Sequence, residues 1–150
     1  MKIDIKILNS NLKKKFIPKY ETKGSAGLDL RACIIKKKSL KCNESYLFPT
    51  GISIYIKNSS ISGVIIPRSG LGHKNGIILG NSIGLIDSDY QGEIMISLWN
   101  RSEKLYIIRP YERIAQIVFI PIQKVKFNLV KNFFNKSDRG IKGFGHTGKK

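Results

Sequence analysis

At 150 residues the chain has the length of one domain with a sizeable core, and 41% hydrophobic with 25% charged residues excludes a disordered polymer. Lys and Arg total 27 against 10 Asp and Glu, a net charge of +17 that suits a polyanionic ligand. No apolar run approaches the roughly 18 residues of a membrane span, and the N-terminus lacks the apolar stretch of a signal peptide, which points to the cytoplasm.

In chain order the elements read as strands. Ile3, Ile5 and Ile7 alternate with charged residues, the period of a half-buried strand. Lysine runs at 13–15 and 36–38 fall between strand-like segments with no aromatic interleaving. They read as solvated surface, so specific nucleic-acid binding is not expected. Cys33 and Cys42 have no His or Cys neighbour at metal-ligand spacing and read as free thiols. Pro49-Thr-Gly signals a turn before the alternation of Ile52, Ile54 and Ile56. Val64 to Ile66 and Ile77 to Leu79 are β-branched runs suited to buried strands. A short helix fits only after Pro67-Arg-Ser-Gly. Ile94, Ile96 and Leu98 alternate with Met, Ser and Trp, and Ile114 to Ile122 is a further apolar strand. Turn signals recur at Asn58-Ser-Ser, Asn75-Gly, Gln91-Gly and Arg109-Pro. The expected architecture is an all-β sandwich or jelly roll in one domain. From Asn135 the apolar periodicity stops and a Gly-rich tail begins, read as a mobile arm that orders over a phosphate ligand.

Eleven of the 14 glycines fall in the windows 25–32, 67–76, 80–93 and 139–148. Turns alone would spread glycine more evenly, so the clustering points to function. The first window, Ser25-Ala-Gly-Leu-Asp-Leu-Arg-Ala32, reads as a strand entered through a Gly turn with Asp29 on its exposed face. In the second, Gly70 lets the chain turn sharply after the proline and leaves Arg68 and Ser69 at a tip. Backbone N–H groups there and the Arg fork match phosphate oxygens. No His or Asp motif nearby makes Ser69 a triad nucleophile, and His73 reads as a surface or packing residue. The third, Asn81 to Glu93, reads as a hairpin presenting Asp87 after an apolar run. Asp87 and Asp89 fit either turn chemistry or contact with a ligand or water. In 113–121, Gln116 is one polar residue in an apolar strand, sharing a face with Ile114 and Val118. As a buried amide it needs a partner, either a phosphate or a neighbouring backbone group.

These five segments resemble, in order and spacing, the five motifs of the homotrimeric deoxyuridine triphosphatases (dUTPases), bacterial members above all, and the resemblance covers nearly the whole chain. It implies a jelly-roll or distorted β-barrel core over 1–134 and a flexible Gly-rich C-terminal arm over 135–150. It implies hydrolysis of dUTP to dUMP and pyrophosphate with Mg²⁺, which lowers dUTP and supplies dUMP for thymidylate synthesis. Asp29 would hold the Mg²⁺ through water together with the substrate phosphates. Arg68, Ser69, Gly70 and Gln116 would grip those phosphates. Asn81, with main-chain groups near Leu85, Ile86 and Met95, would read the uracil edge, and Tyr90 would pack against the sugar. Asp87 would bond the 3′-hydroxyl and activate the attacking water. From the arm, Phe144 would stack on uracil, while Arg139 and Thr147 would cover the γ-phosphate. Many family members carry Ser where this chain has His146. The resemblance further implies a homotrimer with shared active sites. Two rival readings are a related dCTP deaminase, although no additional acid is placed to act on a pyrimidine C4, and a basic nucleic-acid-binding β module without catalysis.

Overall fold

The computed structural model describes residues 1–10, 12–144 and 146, and its strands fall where the sequence alternates. They are β1 (Asp4–Ile7), β2 (Leu28–Arg31), β3 (Lys38–Leu40), β4 (Ser45–Tyr55), β5 (Ile61–Ile66), β6 (Ile77–Leu79), β7 (Gly84–Ile86), β8 (Glu93–Asn100), β9 (Tyr106–Ile108) and β10 (Arg113–Pro121). One α-helix, α1 (Ser69–Asn75), follows β5, where the sequence leaves room for it. Every pairing is antiparallel. One sheet runs β1-β4-β8-β6, a second runs β2-β10-β5-β7, and β3 with β9 forms a small third.

Period-2 alternation decides what enters the core. In β8 the residues Ile94, Ile96, Leu98 and Asn100 are buried, while Glu93, Met95, Ser97 and Trp99 stay on the more accessible face. The core they enter also takes Phe48, Ile52 and Ile54 of β4, Leu30 of β2, Ile65 of β5, and Ile114 and Ile117 of β10, so it lies between the two larger sheets. This is the all-β jelly-roll class that the alternation predicts. β1 forms, but only as an edge: it pairs with β4 alone, and Ile5 keeps 42% of its surface exposed.

Four local expectations give way to tertiary structure. Pro49-Thr-Gly is no turn. β4 continues through it with a register shift between Pro49 and Ser53, and Gly51 takes the left-handed φ of +72° that the irregularity requires. The turn signal at Asn75-Gly is the end of a helix and not a strand-to-strand turn, with Gly76 as the left-handed C-cap of α1. In β10 a register shift between Arg113 and Ala115 places Ile114 in the core with Ile117, not on the face of Gln116 and Val118.

The fourth concerns Asn81–Glu93, which is not a β-hairpin. β7 pairs with β5 in one sheet and β8 with β4 and β6 in the other, so residues 87–92 cross between layers. Both layers tether the crossing. Ser62 Oγ of β5 donates to the Ile86 carbonyl at 2.9 Å, and Ser53 Oγ of β4 donates to the Gln91 carbonyl at 2.6 Å.

Candidate active site

Asp29 is the centre of the first cleft, which encloses about 510 Å³ between the loop before β2, the start of β10 and the N-terminal end of α1. Its carboxylate, 15% exposed, accepts Arg68 Nε on Oδ1 at 2.8 Å and faces Arg113 Nε from Oδ2 at 3.3 Å. Arg113 reaches in turn to Glu21 Oε1 through Nη2 at 3.1 Å. The terminal amino groups of Arg68 have no hydrogen-bond partner among the described residues, so the guanidinium is fixed at one edge and open at the other. Ser69 and Gly70 line the same cleft from the first turn of α1, where helical N–H groups lack intrahelical partners.

Gln116 borders this cleft from β10, opposite Asp29 in the β2 ladder and opposite Ile66 in the β5 ladder. Its Nε2 donates to the Pro67 carbonyl at 3.0 Å, the backbone partner that the sequence leaves open as one of two choices. Gly27 permits this position. A Cβ there would stand 2.6 Å from Gln116 Oε1. Behind the cleft, Arg31 donates to the Tyr111 carbonyl at 2.9 Å, and burial followed by the neighbouring Arg113 charge lowers its pKa.

The donor set bears on a divalent cation. Among the described residues no group of three His, Cys, Asp or Glu side chains is placed to cage a metal. Each Asp29 oxygen takes one guanidinium and retains a second lone pair. One partly occupied carboxylate fits a hard cation that keeps its waters and takes its other oxygens from a phosphate chain.

A second cleft, of about 270 Å³, opens between β7 and β8 and is lined by Asn81, Leu85, Ile86, Asp87, Tyr90 and Met95 among others. Among the described residues, none lines both clefts. Asp87 opens the crossing loop, is exposed, and has a carboxylate without a hydrogen-bond partner among the described residues; its own carbonyl accepts the Tyr90 N–H at 3.2 Å. Tyr90 folds back so that its hydroxyl donates to the Glu93 carbonyl at 2.9 Å, and its ring covers Gly92, where a Cβ would stand 2.4 Å from the phenolic oxygen. Leu85 leaves 68% of its surface uncovered, giving the cleft an apolar wall beside a polar floor.

The remaining expected residues lie apart from both clefts. Arg139 and Phe144 are exposed beyond β10, and the Arg139 guanidinium donates to the Lys142 and Gly143 carbonyls of its own turn. Thr147 lies outside the described residues.

A dUTPase family model matches residues 13–148. This chain belongs to the dUTPase family. A deoxyuridine 5'-triphosphate nucleotidohydrolase of Buchnera aphidicola from Acyrthosiphon pisum is 58% identical over 147 residues, covering 97% of this chain and 95% of that one. One of Serratia proteamaculans is 54% identical over 149 residues, covering 99% and 97%. A solved mutant dUTPase of phage 80α superposes with a TM-score of 0.85 at 25% identity, over 97% of this chain and 98% of that one.

Family membership leaves two charged residues of the first cleft without a sequence-derived role, Glu21 and Arg113. Arg113 had one available signal: a charge at the head of an otherwise apolar strand. Glu21 had none, because it meets Arg113 only through folding of the loop ahead of β2.

Proposed function

We propose that this chain hydrolyses dUTP to dUMP and pyrophosphate, lowering dUTP and supplying dUMP for thymidylate synthesis in the cytoplasm. What carries the reading, in a chain of this family, is Asp87: an exposed carboxylate without a partner among the described residues, in the same cleft as Asn81 and Tyr90. Arg68, Ser69 and Gly70 bind the triphosphate with Gln116 beside them. Asn81 and main-chain groups near Leu85, Ile86 and Met95 read the uracil edge, which rejects cytosine by leaving polar groups unpaired. Tyr90 packs against the deoxyribose where a 2′-hydroxyl would stand.

Asp87 bonds the 3′-hydroxyl and takes a proton from the water that attacks the α-phosphorus in line. The new P–O bond forms as the bridge to the β-phosphate breaks, and pyrophosphate leaves with both electrons of that bridge. Asp29 would hold Mg²⁺ through water together with the triphosphate, and the ion would supply neutralisation of phosphate charge. Arg68 adds to that neutralisation from its open edge.

The two clefts are complementary but separate within one chain, which supports a homotrimer whose active sites are shared between copies. Beyond β10 the chain also carries Val125, Phe127, Leu129, Phe133 and Phe134 with large exposed surfaces, Phe127 at 98%, as a segment that packs in an assembly would. Phe144, Arg139 and Thr147 then close over uracil and the γ-phosphate from an arm of the same region.

The test is a nucleotide panel with wild type and Asp87→Asn, read as pyrophosphate release. Selective Mg²⁺-dependent cleavage of dUTP is expected, with kcat reduced about 10²–10⁴-fold in the variant while binding persists. Full activity in Asp87→Asn removes it from the base role. Release of dUTP from dCTP would indicate the deaminase, and steeply salt-dependent duplex affinity without hydrolysis would indicate the nucleic-acid module.

A further inference from the structure

The first cleft contains an alternating chain of charges drawn from four separate places in the sequence: Glu21, Arg113, Asp29 and Arg68. Arg113 is the odd member. In the ladder it stands directly opposite Arg31, a like-charge pairing that destabilises a sheet unless something offsets it. The offset is a planar fork spanning two carboxylates, with Nε at 3.3 Å from Asp29 Oδ2 and Nη2 at 3.1 Å from Glu21 Oε1. Because Arg113 takes Oδ2, the carboxylate plane of Asp29 is fixed with Oδ1 toward Arg68 Nε at 2.8 Å. Arg68 is thereby gripped at Nε, and its two terminal amino groups stay open for a bidentate anion.

We propose that Arg113 is a positioning residue for polyphosphate binding, acting through Asp29 to orient Arg68, with Glu21 fixing Arg113 from behind. This rests on the reading of the first cleft as the triphosphate site, and it adds a residue to which that reading gives no role. Lysine cannot replace Arg113, since a single ammonium is a point charge and not a fork that spans two carboxylates.

The experiment titrates inorganic tripolyphosphate, and separately deoxyuridine, into full-length wild type, Arg113→Ala, Arg113→Lys, Arg68→Ala and Arg68→Ala/Arg113→Ala by calorimetry. Arg113→Ala should weaken tripolyphosphate roughly tenfold or more, as misplacement of a binding group does, and leave deoxyuridine within about twofold. In the Arg68→Ala background the same change should cost less than about twofold, because the residue through which it acts is gone. Arg113→Lys should behave like Arg113→Ala.

Additive losses in the double variant, or full rescue by Lys, would overturn the proposal in favour of bulk charge. Equal weakening of tripolyphosphate and deoxyuridine would overturn it in favour of a general structural role. Glu21→Gln keeps the side-chain size and removes one ion pair, so it covers the case in which Arg113→Ala does not fold. It should weaken tripolyphosphate about two- to threefold with deoxyuridine unchanged, and no change would likewise refute the relay. Hydrolysis of dUTP is followed in parallel. If the tripolyphosphate pattern holds without it, the functional reading falls and the relay stands.

Discussion

Gly27→Ala tests how tightly the first cleft is built. The added methyl would stand 2.6 Å from Gln116 Oε1 and 3.3 Å from its Cδ, against the 3.4 Å at which ordinary contact begins. The Gln116 amide must therefore retreat by nearly an ångström. It cannot do so and keep its 3.0 Å bond to the Pro67 carbonyl, the residue just before Arg68. Losing that bond costs about 1 kcal/mol, since a net hydrogen bond in a folded protein contributes about that much. Catalysis should suffer more. A displacement of about 1 Å in a positioning group can cost up to about a hundredfold, so kcat/KM for dUTP should fall at least tenfold while the protein stays folded. Chemical denaturation gives the first quantity and a coupled pyrophosphate assay the second. The decisive comparison is Gly27→Ala in a Gln116→Ala background, where the collision partner is absent. There the added methyl should cost nothing further in either measurement. Wild-type stability and turnover in the single variant, or an undiminished penalty in the double, would refute the reasoning.

Truncation after Ser137 removes the exposed Arg139 and Phe144, and it should leave the fold intact by circular dichroism while crippling turnover; an unfolded product would make the tail structural. Phe127→Asp/Leu129→Asp should give a folded species of monomer mass by light scattering, with turnover lost if sites are shared; an unchanged mass would remove this segment from the interface. Asn100 is wholly buried, donates to the Leu40 and Lys104 carbonyls, and accepts from Ser102. Asn100→Ala removes the amide from the Leu40 carbonyl, whereas the Lys104 carbonyl keeps Ser102 Oγ at 3.0 Å, and it should cost about 1–3 kcal/mol in urea unfolding with kcat retained at 25 °C; a loss under about 0.5 kcal/mol would mean that water replaces the amide.

Strand identity was legible because burial on one face imposes a two-residue period, which β8 obeys along its whole length and β4, β5 and β10 obey only in part, where irregularities or two-sided burial intervene. The helix was legible at Pro67-Arg-Ser-Gly because proline ends a buried strand and leaves a free turn behind it. Pairing was not. Ile86 and Glu93 are near neighbours in sequence, and only the requirement to fill two layers sends them to different sheets. Proline and glycine at 49–51 announce a turn locally, yet the long pairing of β4 with β8 absorbs them as an irregularity. In the candidate site, Asp29, Arg68, Gln116 and Asp87 stood out as polar residues in apolar or Gly-rich surroundings. Their partners did not: Arg113 reaches Asp29 and Glu21 across a sheet, and no periodicity encodes that meeting.

Because β7 and β8 sit in opposite layers, the chain from Asp87 to Gly92 is a caliper on the thickness of the sandwich. Its jaws are Leu85 and Met95, the two walls of the second cleft. The width of that cleft is therefore set by Ile65 and Ile94, buried residues that reach its base, and by the core packed behind them. A methylene added or removed there changes the aperture as a whole, as turning the screw of a vice would. Variants altered in which base they admit should accordingly turn up deep in the interior as well as on the rim.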